Sequence, residues 1–436
     1  MDVPFTRRRL ANGLDVIVHE DHACPIVGVN VWYHVGSKNE RVGRTGLAHL
    51  FEHLMFEGSA HYDQGYFRPL QEAGAAVNGS TNSDRTNYWE VVPANALELA
   101  LWMESDRMGH LLPALTQQKF ENQRDVVLNE RRQNYENRPY GLSTMALLDA
   151  LYPAEHPYRW PTIGWSDDLR ATSLDEVRQF FVSHYGPGNA SISLAGDIDT
   201  DRALALVDHY FGDIPSRAAT PFVSPPEPSL ETPDVRRLVE DRIELPRVYL
   251  AWHSPALYQN GDAALDVLAD CLANGKSSRL YRALVHERRV ATELGAAQVS
   301  REASSYFQVV ATAAPGHTLE ELERAIQREV DSVREDGLDP GDLSRAKAQA
   351  EAQFVYRLQT VGGFGGKSDQ LNAYNVMAGD PGYFARDLSR FTGVTSEQVR
   401  EVVGARLTID RRVAVSVVPR GRRELALPGS VPAVVS

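Results

Sequence analysis

The chain has 436 residues, 43% of them hydrophobic and 24% charged, a composition of folded globular protein rather than of disordered or fibrous material, and its length requires at least two cores. A formal net charge of −13 argues against nucleic acid and against an anionic membrane as partners, because both are polyanions. No run reaches the roughly 18 apolar residues that spanning a bilayer requires, the charged start MDVPFTRRRLANGLDVIVHED lacks the apolar core of a secretory signal, and Cys24 and Cys271 are too few for a disulfide framework. The expectation is a cytoplasmic protein, and a mature periplasmic form that has lost its signal fits the same sequence.

Along the chain, GLDVIVHED reads as a first strand, and TGLAHLFEHLMFEGS (Thr45 to Ser59) is the first segment with a chemical signature. Leu47, Leu50, Phe51, Leu54 and Met55 recur at helical spacing, with Thr45 as the expected N-cap and Gly58 as the stop. His49 and His53 then stand at i and i+4, roughly 40° apart around the axis and one turn along it, so both imidazoles can meet one ion. Neutral imidazole suits zinc. Glu52 projects beside the same ion without having to bind it, where a carboxylate can take a proton from a zinc-activated water and pass it to a leaving nitrogen. Singly, these are two locally bonded histidines and a solvated glutamate. Together, inside an apolar helix, they form HxxEH, the inverted zinc-peptidase signature.

Two imidazoles leave a catalytic zinc one protein ligand short. Further on, TQQKFENQRDVVLNERRQNYEN (Thr116 to Asn137) predicts a long helix ending before Pro139. In it Glu130 shares a face with Val126 and Val127, while Arg131, Arg132 and Glu136 are placed to face water. The other histidines, His61, His110 and His184 among them, show no ligand spacing and read as structural or solvated.

Thr172 to Ile198 predicts a capped amphipathic helix, a short turn and a strand. From Pro215 to Pro233 the chain reads PSRAATPFVSPPEPSLETP, where repeated prolines bar both helix and central strand. Beyond it come a strand-like run, RVYLAWHSP from Arg247, the helical DAALDVLADCLAN, and Val394 to Pro419, which repeats the helix–turn–strand order of Thr172 to Ile198. TVGGFGGKSD (Thr360 to Asp369) resembles a phosphate loop only superficially, since the required glycine at 361 is Val361; it reads as a hinge or as a loop touching substrate. The expected architecture is α+β, with two homologous domains in tandem, each an antiparallel-rich sheet packed with helices. Residues 1–215 form the zinc-binding domain, 216–233 the linker, and 234–436 a homologous domain without a metal site.

These motifs resemble the insulinase, or pitrilysin, family of zinc peptidases, which includes the mitochondrial processing peptidases. In that family HxxEH is completed by a distant glutamate, and here 76 residues, 54 to 129, separate His53 from Glu130, within VVLNE. The resemblance implies Zn2+ held by His49, His53 and Glu130, with Glu52 as general base. It also implies that GAAVNGSTNSDRTNYWEVVP, Gly74 to Pro93, receives a peptide substrate as an added strand, with Asn78, Gly79 and Ser80 as contacts. It further implies that the chain forms half of a clamshell chamber.

Two departures from the family pattern stand out. Gln123, seven residues before Glu130, replaces a family glutamate near the metal, and Val285 and Thr292 stand where the family carries an arginine and a tyrosine for the transition state. The second departure points to a heteromer in which a homologous zinc-less subunit brings that pair, with a homodimer as the other arrangement. The function expected is zinc-dependent endopeptidase action on peptides or unfolded segments. Its alternatives are a non-catalytic scaffold subunit of the same fold and a processing peptidase for one precursor.

Overall fold

The computed structural model describes residues 3–217, 220–230 and 232–435. Residues 218, 219 and 231 of the proline-rich stretch, and the first two residues of the chain, lie outside the described residues. The chain forms two compact units. One comprises residues up to Asn129, Thr162–Val223 and Gln353–Arg386; the other comprises Glu130–Pro161, Ser224–Ala352 and the chain from Asp387.

The sheet of the first unit contains β1 (Thr6–Arg9), β2 (Asp15–Glu20), β3 (Ile26–Tyr33), β4 (Ala76–Thr81), β5 (Thr86–Pro93) and β6 (Ala190–Gly196), in the order β1-β2-β6-β3-β5-β4. Only β2 and β6 pair in parallel. In β3, Val27, Val29 and Val31 are fully buried, as a central strand covered on both faces requires. Of the alternate residues, Asn30 and Trp32 meet the helix Lys367–Ala378, and Gly28 meets the loop that leads into it. Asp369 accepts from Trp32 Nε1 at 2.8 Å and from Asn87 Nδ2 at 3.0 Å, and Asn372 Nδ2 donates to Asn30 Oδ1 at 3.0 Å. TVGGFGGKSD leads into this helix. A Cβ on Gly28 would lie 2.8 Å from Gly362 Cα, so the loop packs backbone to backbone on the sheet.

The second unit repeats the plan with β7 (Val235–Asp241), β8 (Arg247–Ser254), β9 (Ala291–Val299), β10 (Ser305–Ala313), β11 (Arg412–Pro419) and β12 (Val431–Pro432), in the order β12-β7-β11-β8-β10-β9. β11 lies between a parallel β7 and an antiparallel β8, as β6 lies between β2 and β3. The preceding helices match as well. Leu174–His184 and Ser396–Arg406 each start with a capping box, Ser173 with Glu176 and Thr395 with Gln398. RVYLAWHS is therefore the counterpart of β3, and β7 is the counterpart of β2.

These units are not the two halves on either side of the prolines. Segment 353–386 of the C-terminal half packs in the first unit, and 130–161 of the N-terminal half packs in the second. There the helix Ser143–Leu151 sets Ala146, Leu147, Leu148 and Leu151 against Val413, Val415 and Val417 of β11. Each sheet is thus closed by a helix from the opposite half, because a sheet with two apolar faces needs a cover on both. No helix among the described residues is long and apolar enough to cross a membrane.

Beneath the first sheet Arg107 is buried between two buried carboxylates. Its Nε donates to Glu104 at 2.8 Å and its Nη2 approaches Glu90 at 3.4 Å, while its guanidinium lies over the rings of Tyr66 and Tyr88. Burial and the neighbouring Glu104 push the Glu90 carboxyl well above the usual range, so one cation serves two acids. Arg107→Met is expected to cost about 3–5 kcal/mol of unfolding free energy, because it strands a buried charge; chemical denaturation measures this, and an unchanged midpoint would refute the arrangement.

His156 and His184 are also buried, and burial holds both imidazoles down at about 4. Between about 4 and the ordinary 6.5 the unfolded chain binds more protons than the folded one, so stability falls as pH drops through that window. A His156→Asn/His184→Asn chain is expected to show a shallower loss between pH 7 and pH 5 in urea titrations, and an identical slope would refute the assignment.

Candidate active site

The motif helix runs from Leu47 to Leu54, with Leu47, Ala48, Leu50, Phe51 and Leu54 buried. Phe51 stacks on Phe180 and Phe181 at 5.9 and 5.7 Å between centroids, which fixes the rotation of the helix about its axis. Its N-cap is Gly46, not Thr45. Gly46 adopts φ +89, and a Cβ there would lie 2.8 Å from Leu169 Cδ2 and 2.9 Å from the Ile163 carbonyl, so only glycine fits. The cap is completed at a distance: Glu40 accepts from the Gly46 and Ala48 N–H groups at 2.9 and 2.8 Å. Burial pushes the Glu40 carboxyl up to about 8, against the pull of those donors. Thr45 serves the next loop instead, donating to Asp168 at 2.7 Å and accepting from the Trp165 N–H at 2.8 Å.

With the apolar stripe inward, His49 and His53 share the helix's other edge, their rings 4.9 Å apart and 73° inclined. The distal helix, Gln117–Arg131, continues as a π-helical turn over Arg132–Glu136. Its buried Val127 and Leu128 set its face. The boundary between the units, Asn129 to Glu130, falls inside this unbroken helix. Ligand atoms of His49, His53 and Glu130 all lie within 4.8 Å of one another. Two imidazoles and a carboxylate at that separation are a donor set for zinc that leaves a coordination position open, so the residues present fit the ion that the motif implies. Asn134, one turn beyond, donates to Glu130 Oε1 at 3.2 Å and orients it.

Two expectations about this helix need correction. Val126 is exposed at 44% and only Val127 is buried. Arg131 is 2% exposed and bonds Glu136 at 3.1 Å rather than facing water, because the π-helical turn brings Glu136 back over it.

Glu52 and His53 line a cavity of about 910 Å3 together with Phe56, Glu57, Tyr66 and Gln123. Phe56 stacks on Phe67 at 4.5 Å, giving it an apolar wall. Asn78, Gly79 and Ser80 lie on β4, the edge strand, paired with Trp89, Tyr88 and Asn87 of β5. Asn78 Oδ1 accepts from the Gly79 N–H, and Ser80 Oγ donates to Asn87 at 2.7 Å. Arg85, which sequence reasoning passed over, reaches back to donate to the Ser80 carbonyl at 2.7 Å. Burial lowers its pKa, while the charges of Asp369 and Glu52 oppose the shift. In the second unit, Val285 packs against the core and Thr292 is exposed on β9.

The structure also gathers groups that the sequence reading treated separately. His61 and His110 lie with Asp106, ligand atoms within 4.8 Å. Asp106 and His110 stand at i and i+4 on one helix, but His61 lies 45 residues before Asp106, so no local spacing joins the three. Asn134, by contrast, was detectable as the i+4 neighbour of Glu130.

A repeated α+β unit carrying an HxxEH helix and a converging distal glutamate has the architecture of a metallopeptidase. The chain belongs to the insulinase family: the family model described as insulinase (peptidase family M16) matches residues 15–158, and that described as peptidase M16 inactive domain matches residues 171–350. The zinc protease PqqE of Helicobacter pylori is 29% identical over 357 residues, 80% of this chain and 79% of that protein. An uncharacterized zinc protease of Mycobacterium leprae is 26% identical over 426 residues, 97% of this chain and 93% of that one. Among solved structures, a protease from Helicobacter pylori matches with a TM-score of 0.87 at 25% identity, over 96% of this chain and 100% of that one. The periplasmic protease PqqL from Escherichia coli matches with a TM-score of 0.78 at 18% identity, over 98% of this chain and 50% of that one.

Gln123 lines the cavity and donates to Glu57 Oε1 at 2.6 Å. A glutamate at 123 would face that carboxylate as a like charge, which gives the amide a reason to be there. Gln123→Glu is expected to cost about 0.5–1 kcal/mol, and Glu57→Gln in the same chain to remove the cost, as read by a double-mutant cycle of thermal unfolding. Additive effects of the two changes would refute the pairing.

Proposed function

We propose that the chain is a zinc-dependent endopeptidase that hydrolyses peptides or unfolded protein segments bound in extended form. The observation that carries this reading is the convergence of His49, His53 and Glu130 within 4.8 Å, with Glu52 on the wall of the adjoining cavity. His49, His53 and Glu130 hold the ion, with Asn134 fixing the carboxylate's orientation. Zinc, when bound, lowers the pKa of a coordinated water and polarises a substrate carbonyl. Glu52 takes a proton from the attacking water and returns it to the leaving nitrogen.

Substrate adds as a strand along the outer edge of β4, which β5 pairs on one side only among the described residues. Recognition then falls on backbone groups and tolerates varied side chains. Arg85 holds the Ser80 carbonyl, and Asn78 and Ser80 present polar groups at that edge.

The chain acts with a homologous zinc-less subunit that supplies an arginine and a tyrosine to the transition state. Val285 and Thr292 support this, since neither carries a charged or phenolic donor. So does the match of nearly the whole chain to half of PqqL. The same two residues favour a second reading, a non-catalytic subunit of this fold, over a peptidase specialised for one precursor.

Peptide cleavage measured on a quenched-fluorescence library, with and without the co-purifying homologue, separates these readings. Glu52→Gln is expected to retain zinc at this site while turnover falls about 10²–10⁴-fold, and His49→Ala or Glu130→Gln to lose the ion held by His49, His53 and Glu130 as well. Unchanged turnover in Glu52→Gln would overturn the mechanism. Zinc without turnover in either preparation would leave the non-catalytic reading.

A further inference from the structure

The second histidine cluster is built by a defect in a helix. Leu97–Ala114 carries Pro113, which removes an N–H from the helical ladder and crowds the carbonyl four residues before it. The break falls at His110, whose φ of −131 and ψ of 24 are not helical. The displaced His110 carbonyl accepts the Ala60 N–H at 3.0 Å, fastening the loop that follows the motif helix. That loop brings His61 against the kink, with the rings of His61 and His110 4.8 Å apart and 79° inclined.

Between them Asp106 is only 4% exposed. One of its oxygens bonds His61 Nδ1; the other accepts from Ser59 Oγ and from the His61 N–H, the latter at 3.2 Å. Both histidines are exposed, while the carboxylate between them is buried. The charge of Asp106 is therefore fixed in place, not mobile on the surface.

We propose that His61, Asp106 and His110 form a second metal site, taking a divalent transition-metal ion of the zinc class. Three ligand atoms within 4.8 Å supply two imidazoles and a carboxylate, with the fourth position left to water. On binding, the hydrogen bond between His61 and Asp106 gives way to a shared ion as the imidazole proton moves to the other ring nitrogen. The ion clamps the loop after the motif helix to the kinked helix. The site shares no ligand with His49, His53 and Glu130, so it stands or falls independently of the peptidase reading.

Equilibrium dialysis against Zn2+ with metal counted by mass spectrometry tests this. Two equivalents are expected in the unaltered chain, one in His53→Ala, one in His61→Ala/His110→Ala, and none when all three changes are combined. In the His53→Ala chain, Zn2+ is expected to raise the melting temperature and Co2+ to give the visible absorption of a low-coordinate site, both lost with His61 and His110. Asp106→Asn is expected to weaken the remaining site about 10–100-fold. Both histidines are exposed, so the metal-free fold of the His61→Ala/His110→Ala chain, checked by circular dichroism, is expected to be unchanged. No equivalent in the His53→Ala chain, or an equivalent there that survives loss of both His61 and His110, would overturn the proposal.

Discussion

Burial of one face of the motif helix is the constraint on which the candidate site depends. Leu50, Phe51 and Leu54 are fully buried, and Phe51 sits among Phe180, Phe181 and Tyr185. With that stripe committed, the helix cannot rotate without exposing a large apolar area, so His49 and His53 are held on the opposite edge. Glu40 sets the start of the helix from outside it, through two backbone N–H groups. The imidazoles are therefore positioned by packing and capping before any metal is considered, which is the pre-organisation a metal centre requires.

The second half of the site comes from a different physical source. Glu130 is carried by a long helix whose rotation is set by Val127 and Leu128, and its carboxylate is oriented by Asn134. Around the cavity, Gln123 answers Glu57 where a second acid would repel it, and Arg85 ties the edge strand at Ser80. Each of these groups holds a neighbour in place, and Phe56, Tyr66 and Phe67 give the cavity its aromatic wall.

The duplication is topological and does not follow the packing units. Matching sheet orders and matching capping boxes mark two versions of one unit, yet each sheet is closed by a helix from the other half. The network joining Asp369 and Asn372 to Trp32, Asn87 and Asn30 shows how firmly one exchanged helix is held. The proline-rich stretch thus separates the two repeats in sequence, while the units cross over at other points.

Local periodicity made HxxEH, the long distal helix and both capped helix–strand repeats legible, because each is a property of one or two turns of chain. The α+β class followed from strands gathered at the ends of each half. Sequence alone also carried the pairing of His49 with His53, since i and i+4 meet on any helix. Tertiary structure alone decided that Glu40 rather than Thr45 caps the motif helix, that Arg131 is buried, that two helices are exchanged, and that His61, Asp106 and His110 meet. Glu40 and Arg131 find partners only six to eight and five residues away, but through a loop and a π-helical turn that regular helical periodicity does not describe. The exchanged helices and the approach of His61 to Asp106 and His110 depend on which surfaces pack together across long separations, and the spacing of residues along one segment carries no record of that.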